Sequence, residues 1–210
     1  MDNFILGLIQ GLTEFLPVSS SGHLTIFSNI LNLEPNVSYF AVLHLATFFA
    51  VLIFVWREVL DILKGIFTLD KEYLILSLKL IISTIPALIF GIFFDDFIES
   101  TFTSISLVGV FLIITAVLMF FSDRFKNNNK SFKDVLYTDA LIIGLFQALA
   151  IMPGVSRSGA TLFAALLLGL KREDAIKYSF LMSLPVTFGA GVLKLESINL
   201  EFSSYIGILT

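Results

Sequence analysis

Long apolar runs alternate with short charged segments along this chain of 210 residues. Runs of about 20 mostly apolar residues, bounded by charged residues, are typical of membrane-spanning helices. Four runs fit this description, with approximate bounds Tyr39–Trp56, Tyr73–Phe94, Ser104–Ser122 and Ala175–Leu193. The pattern therefore predicts an all-α integral membrane protein.

Two further apolar regions, Phe4–Leu33 and Ala140–Leu170, are interrupted near their middles by polar stretches that contain glycine. These stretches are PVSSSGHL, Pro17–Leu24, and PGVSRSGAT, Pro153–Thr161. Backbone that is not helical is tolerated at membrane depth only where it is buried in protein or lines a wet cavity. Each region is therefore predicted to be a re-entrant hairpin, in which two half-helices flank a polar tip.

The two interrupted regions resemble each other. A shift of 137 residues aligns Gly7–Gly22 with Gly144–Gly159 without a gap, and eight of the sixteen positions are identical. The identities include glutamine, serine and glycine, which chance similarity between apolar segments does not explain. An internal repeat predicts two related halves, 1–122 with a hairpin and three spans and 138–210 with a hairpin and further spans. A basic linker, 123–137, joins them, and the second half is expected to be truncated at its C-terminus.

Basic residues predict how the chain is oriented, because they concentrate in cytoplasmic loops. The segment Asp123–Lys133 carries four basic residues and is predicted to be cytoplasmic, as is the segment Arg57–Glu72. The loop Asp95–Thr103 has three acidic residues and no basic one, so it is predicted to lie outside. The first hairpin then enters from outside and the second from the cytoplasm. This is an inverted-topology repeat, whose broken helices usually meet near the bilayer midplane and form a site there.

The composition excludes several classes of protein. The chain is 57% hydrophobic and 14% charged, a balance that a soluble domain of this length does not accommodate. It has no cysteine, which excludes disulfides and cysteine-based metal or redox sites. The net charge is −4 and the basic residues form no stripe, so no nucleic acid is expected as a partner. The expected partners are the lipid bilayer and a ligand that reaches the membrane interior.

Ionisable side chains within predicted spans or hairpins are costly in lipid, so each is a functional candidate. Glu14, His23, His44 and Arg157 meet this criterion. Gln10 lies four residues before Glu14 and shares a helix face with it. If the hairpin tips meet, Glu14, His23 and Arg157 lie within one pocket. The alternatives are a purely structural ion pair between Glu14 and Arg157, and a His44 that only bridges helices.

The two polar tips are suited to an anion, because each precedes a half-helix and presents backbone N–H groups and hydroxyls. The candidate anion-binding residues are Ser19, Ser21, Gly22, Ser156, Ser158 and Gly159. Arg157 adds a forked donor that matches phosphate.

Glu14 is negatively charged and would repel a phosphate, so it is interpreted as a ligand of a divalent cation or as an acid–base partner of His23. Ser20 beside His23 supplies a nucleophile and its activator. Serines that only bridge helices are the alternative interpretation.

The stretch QGLTEFLPVSSSGHL, Gln10–Leu24, and the stretch PGVSRSGAT resemble the two signature motifs of the undecaprenyl-diphosphate phosphatase family, which is linked to bacitracin resistance. The resemblance covers the whole chain, and it includes Thr161 as the last motif residue. It implies hydrolysis of a polyprenyl diphosphate to the monophosphate, which recycles the lipid carrier of peptidoglycan and cell-wall synthesis. It also implies a divalent cation, Mg²⁺ or Ca²⁺, with Glu14 as a ligand, and a multi-pass plasma-membrane protein whose site faces outside. Gln10 departs from the commoner glutamate, and the chain is shorter than is usual in the family.

Several alternatives remain open at this level. A membrane transporter or flippase for a lipid phosphate, and a lipid-phosphate-binding protein without activity, both fit the residues. The attacking group is Ser20 with His23 as its base, His23 itself, or water activated by a metal. The sequence decides neither the preferred chain length of the lipid nor whether the chain forms a homodimer.

Overall fold

The computed structural model describes residues 2–34 and 36–195, and these residues are almost entirely helical. The helices are α1 Asp2–Thr13, α2 Ser20–Ile30, α3 Val37–Phe54, α4 Trp56–Phe67, α5 Lys71–Phe93, α6 Asp95–Phe102, α7 Ile105–Ser122, α8 Tyr137–Leu149, α9 Arg157–Leu167 and α10 Arg172–Leu195. Within the described ranges the only β-type pairing is an isolated bridge between Lys130 and Leu170. The expected truncation of a further span falls at 196–210, outside the described residues.

Four of these helices, α3, α5, α7 and α10, are long and apolar enough to cross a membrane. They coincide with the four runs predicted from the hydrophobic pattern. Large apolar side chains remain exposed on their outer surfaces, including Ile53, Ile92 and Phe120. Such extensive apolar exposure is not found on soluble monomers and is expected of a surface that faces lipid. The prediction of an all-α membrane protein is confirmed.

Both interrupted regions form paired half-helices, α1 with α2 and α8 with α9. These helices contain 11 to 13 residues each, whereas a span needs about 20. Helices α2 and α9 begin in the same way: the hydroxyl of Ser19 accepts from the Gly22 N–H at 3.3 Å, and that of Ser156 accepts from the Gly159 N–H at 3.1 Å. Serine is a preferred residue at this position because its oxygen satisfies a free helical N–H. The polar stretches therefore end one half-helix and start the next.

The two hairpin tips touch each other, as the sequence predicted. A Cβ atom added to Gly22 would lie 3.0 Å from Cα of Gly154, and one added to Gly159 would lie 3.4 Å from Cβ of Pro17. The hydroxyl of Ser158 also donates to the carbonyl oxygen of Leu16 at 3.4 Å. That the two hairpins enter the membrane from opposite sides stays a prediction, because it depends on which end of the protein faces the cytoplasm.

Helix α7 of the first half holds the second tip in place. The Thr115 hydroxyl donates to the Gly154 carbonyl oxygen and accepts from the Ser156 N–H, both at 2.8 Å. Gly154 has φ +101°, in the region that favours glycine, and an added Cβ would lie 2.5 Å from the Val108 carbonyl oxygen. A residue of the first half thus orders the backbone directly before Arg157.

The long helices pack across the two halves of the sequence. The most extensive contacts join α5 to α8 and α10 to α3. Glycine permits close approach at both interfaces: a Cβ on Gly144 would lie 2.6 Å from the Ser83 carbonyl oxygen, and one on Gly191 would lie 2.6 Å from Cβ of Leu45. Small residues at helix interfaces are typical of membrane proteins. Helix α3 also contacts α1, and α10 also contacts α9, so this packed pair of helices adjoins both hairpins.

The basic linker is fixed to the protein at one end of the helices. The Lys130 N–H donates to the Gly169 carbonyl oxygen at 3.1 Å, and the Lys130 ammonium pairs with Asp139. The Lys133 ammonium lies 2.8 Å from a Glu72 oxygen, and this hydrogen bond raises the pKa of Lys133. The linker and the start of α5 therefore share one face of the molecule. This agrees with the prediction that both are cytoplasmic.

Single-cysteine labelling tests the predicted orientation, since the chain has no cysteine of its own. Asn127→Cys, in the linker, should react with a membrane-impermeant maleimide only in inverted vesicles. Asp96→Cys, in α6, should react only in right-side-out vesicles, because the 23-residue helix α5 separates α6 from the linker face. Both positions are exposed, so access to the reagent depends on the side of the membrane alone. The reverse labelling pattern would contradict the predicted topology.

Candidate active site

The carboxylate of Glu14 is the centre of a polar network at the first tip. Its Oε2 atom accepts from the Ser20 hydroxyl at 2.6 Å and from Gln10 Nε2 at 3.0 Å, and it lies 3.0 Å from His44 Nδ1. Its Oε1 atom accepts from Arg157. Glu14 is only 6% exposed, so these contacts replace solvent around the charge. Of the three residues predicted to lie together, Glu14 and Arg157 are therefore in direct contact.

Arg157 joins three elements around this network. It is the first residue of α9, its Nη2 donates to Glu14 beside α1, and its Nη1 donates to the Thr187 hydroxyl of α10. A buried charge is tolerated only when it is paired and hydrogen-bonded, and Glu14 and Arg157 satisfy each other in this way. The Arg157 side chain is 21% exposed, so it is not completely enclosed by the protein.

His23 does not contact the Ser20 hydroxyl, contrary to the expectation that it takes the Ser20 proton. Its Nδ1 lies 2.8 Å from the Ser19 carbonyl oxygen, which accepts only, so Nδ1 carries the hydrogen. Within the described residues the Ser20 hydroxyl is bonded to Glu14 instead. The Ser19 carbonyl oxygen also accepts from the His23 N–H at 3.1 Å, as the first acceptor of α2, and Ser19 itself has φ 65°. A residue that is not glycine rarely adopts this conformation, and such residues cluster at functional sites.

The remaining predicted anion-binding residues form matched pairs in the two tips. The hydroxyls of Ser19 and Ser21 lie 3.3 Å apart, and so do those of Ser156 and Ser158. Thr161 is different, because it is fully buried and its hydroxyl lies 2.5 Å from that of Ser179 on α10. We therefore expect Thr161 to support Arg157 by packing α9 against α10 rather than to bind a ligand directly.

The sequence was compared with known families and proteins. The family model described as bacitracin resistance protein BacA matches residues 3–209, which includes both hairpin tips. The chain belongs to this family. An undecaprenyl-diphosphatase of Methanococcus maripaludis (strain C7) is 62% identical over 204 residues, which are 97% of this chain and 81% of that protein. One from Thermosipho africanus is 58% identical over 206 residues, or 98% and 82% of the two chains, and one from Halothermothrix orenii is 43% identical over 208 residues, or 97% and 79%.

Three residues at this BacA-family site lie outside the two motifs: His44 and Thr47 on α3, and Thr187 on α10. Thr47 accepts from Gln10 Nε2 at 3.2 Å, and Thr187 accepts from Arg157. Sequence analysis noted His44 but not the two threonines. Each is a polar residue in a strongly apolar helix, which is a weak signal because such threonines commonly bond their own helix backbone.

The fit of a divalent cation depends on Gln10 and Glu14. Within the described part of the chain, no group of three or more His, Cys, Asp or Glu residues could hold a metal ion. Gln10 is 1% exposed, and its Oε1 atom has no hydrogen-bond partner. Mg²⁺ is commonly held by one or two carboxylates together with substrate phosphates. The residues therefore do not fit an all-protein cage. Gln10 turns Nε2 rather than Oε1 towards Glu14, so of these two residues only Glu14 fits a cation that is shared with a phosphate.

Proposed function

We infer that the chain is an undecaprenyl-diphosphatase, which hydrolyses undecaprenyl diphosphate to the monophosphate and inorganic phosphate. The observation that carries this inference is the meeting of Ser20, Glu14 and Arg157 between two anion-binding tips in a chain of the BacA family. Relatives that are 62% and 58% identical over nearly the whole chain are named for the same activity. The reaction regenerates the lipid carrier of cell-wall synthesis.

Ser20 is the group that attacks the terminal phosphorus. Its hydroxyl lies 2.6 Å from Glu14 Oε2, a short distance typical of an O–H group bonded to an ionised carboxylate. Glu14 accepts the hydroxyl proton as the bond from Ser20 Oγ to phosphorus forms and the bond to the bridging oxygen breaks. Undecaprenyl monophosphate leaves, and water then hydrolyses the phosphoserine to release inorganic phosphate.

Arg157 stabilises the charge on the transferred phosphoryl group. Phosphoryl transfer depends mainly on positioning and on charge stabilisation, which suits a forked, permanently charged donor. In the structure Arg157 is bonded to Glu14 and Thr187, so it must turn part of its guanidinium from Glu14 to the phosphate. The serines and backbone N–H groups of the two tips bind the remaining oxygens.

A divalent cation, Mg²⁺ or Ca²⁺, completes the proposal. It would be held by Glu14 together with oxygens of the diphosphate, and it would neutralise charge on those oxygens. The protein crosses the plasma membrane several times, and its active site is open to the outer face. The support for this orientation is the basic linker at one end of the helices and the acidic helix α6 at the other.

Phosphate release by purified protein tests the function. Farnesyl diphosphate and undecaprenyl diphosphate, each with and without Mg²⁺ or Ca²⁺, should both yield inorganic phosphate when the cation is present. Sealed liposomes provide the complementary measurement. Uptake of the lipid phosphate without any phosphate release would contradict the enzyme and support a transporter.

Glu14→Gln tests the proposed metal ligand and base. The amide keeps the shape of the side chain but neither its charge nor its basicity, so we expect turnover to fall ~100-fold or more and its response to Mg²⁺ to be lost. Thermal stability in detergent is measured on the same preparation. A variant with lowered stability but an unchanged metal response would show that Glu14 is only half of a structural ion pair.

A further inference from the structure

His44 touches the proposed base, although it belongs to neither hairpin. It lies in the middle of α3, 34 residues from Gln10, and its Nδ1 atom is 2.8 Å from Gln10 Nε2. The same Nδ1 is 3.0 Å from Glu14 Oε2, the oxygen that accepts from Ser20. The imidazole side chain is 26% exposed, whereas that of Glu14 is 4% exposed. His44 therefore reaches the buried carboxylate from the more open side of the site.

The hydrogens of Gln10 decide which nitrogen of His44 is protonated. Gln10 Nε2 has two hydrogens but three neighbours: Glu14 Oε2 at 3.0 Å, Thr47 Oγ1 at 3.2 Å and His44 Nδ1 at 2.8 Å. The Thr47 hydroxyl donates its own hydrogen to the His44 carbonyl oxygen at 2.9 Å, so its remaining capacity is to accept. Glu14 and Thr47 thus take both hydrogens of Gln10.

Two other arrangements of hydrogens in this network would place one acceptor against another. If Nδ1 were unprotonated, its lone pair would face the anionic oxygen of Glu14 at 3.0 Å. If the Gln10 amide were reversed, its oxygen would lie against the same carboxylate. Both arrangements are repulsive. The network is satisfied when His44 carries a hydrogen on Nδ1 and donates it to Glu14 Oε2.

We propose that His44 is a positioning residue for Glu14, and this proposal rests on the proposed function. His44 and Arg157 hold different oxygens of the carboxylate, Oε2 and Oε1 respectively. When Arg157 turns towards a phosphate, the contact at Oε1 weakens, while the contact at Oε2 persists. His44 then keeps Oε2 directed at the Ser20 hydroxyl during attack.

Two substitutions test this role by turnover. His44→Ala removes the donor, whereas His44→Asn places an amide N–H at the same number of bonds from the backbone as Nδ1. We expect the alanine variant to lose about 10- to 100-fold in kcat with KM within about threefold, as is typical when a positioning partner is removed. The asparagine variant should recover to within about fivefold of wild type. Tyr39→Phe is the matched control, since it removes one hydrogen bond between α3 and α1 at Asn3 and should leave kcat unchanged.

A merely structural role predicts a different result. The alanine and asparagine variants would then keep kcat within about twofold of wild type and differ from it only in melting temperature, which would overturn the proposal. An asparagine variant as slow as the alanine variant would also overturn it, because the N–H alone would not suffice.

The protonation state is tested without turnover. The chain has two histidines, so ¹⁵N-histidine NMR in detergent yields two sets of ring signals, and His44→Asn assigns one of them. We expect His44 to be protonated at Nδ1, where it contacts Glu14. Protonation at Nε2 alone would overturn the proposal. A wild-type protein without phosphate release would instead contradict the proposed function, and the tautomer would still decide the contact between His44 and Glu14.

Discussion

Replacing Ser20 with alanine should lower phosphate release by several orders of magnitude, because the variant lacks the oxygen that attacks phosphorus. The fold should survive, since the lost bond to Glu14 leaves that carboxylate with Arg157, Gln10 and His44 as partners. Turnover is measured with labelled diphosphate in detergent. Ser28→Ala is the control, because Ser28 is a buried serine of the same helix, two turns away.

The covalent intermediate separates the three schemes for attack. Acid quenching of wild-type enzyme should trap an acid-stable phosphoserine that is absent from the Ser20→Ala variant. An acid-labile phosphoenzyme would move the assignment to His23. A Ser20→Ala variant with more than about a tenth of wild-type activity and no trapped intermediate would favour attack by water.

Replacing Arg157 with alanine should cost about 100- to 1000-fold in turnover, the usual effect of removing a donor to the transition state. The same change leaves Glu14 without its counter-ion. Breaking a fully buried pair costs ~3–5 kcal/mol of stability, and we expect a smaller cost here because the Arg157 side chain is 21% exposed. Arg157→Lys separates these effects. Lysine keeps a positive charge beside Glu14, so its melting temperature should exceed that of the alanine variant, while turnover recovers only in part because a point charge lacks the planar fork.

Turnover and melting temperature must therefore be measured on the same samples of the two variants. Near-wild-type turnover in the Arg157→Ala variant would remove Arg157 from the site. Full recovery by lysine would show that charge alone is required and that the bidentate geometry is not used.

The membrane environment explains why so much of the fold could be predicted. Lipid demands long apolar helices and tolerates broken ones only at protected sites, so the four spans and the two hairpins are visible in the hydrophobic pattern. Helices α4 and α6 were not predicted. Both fall in charged segments that were interpreted as loops, and hydropathy detects length and apolarity rather than short amphipathic helices. Trp56, Leu60 and Phe67 on α4 are exposed at helical spacing, which was the available signal.

The part of the site that follows from the internal repeat of the two hairpins was predictable. Matching tips implied that Glu14 and Arg157 meet, although they are 143 residues apart. The partner of Ser20 was not predictable, because it depends on how the chain between α1 and α2 turns Ser20 towards Glu14. The approach of His44 was not predictable either, since it depends on how α3 packs beside α1.

The ion pair between Arg157 and Glu14 bears on how the enzyme releases its products. Each charge of this pair neutralises the other, so the pair lies within the membrane without an external counter-ion. A diphosphate carries more negative charge than either product and should compete best with Glu14 for the guanidinium. If Arg157 returns to Glu14 after cleavage, the pair should favour release of the product. We therefore expect the pair to limit inhibition by inorganic phosphate.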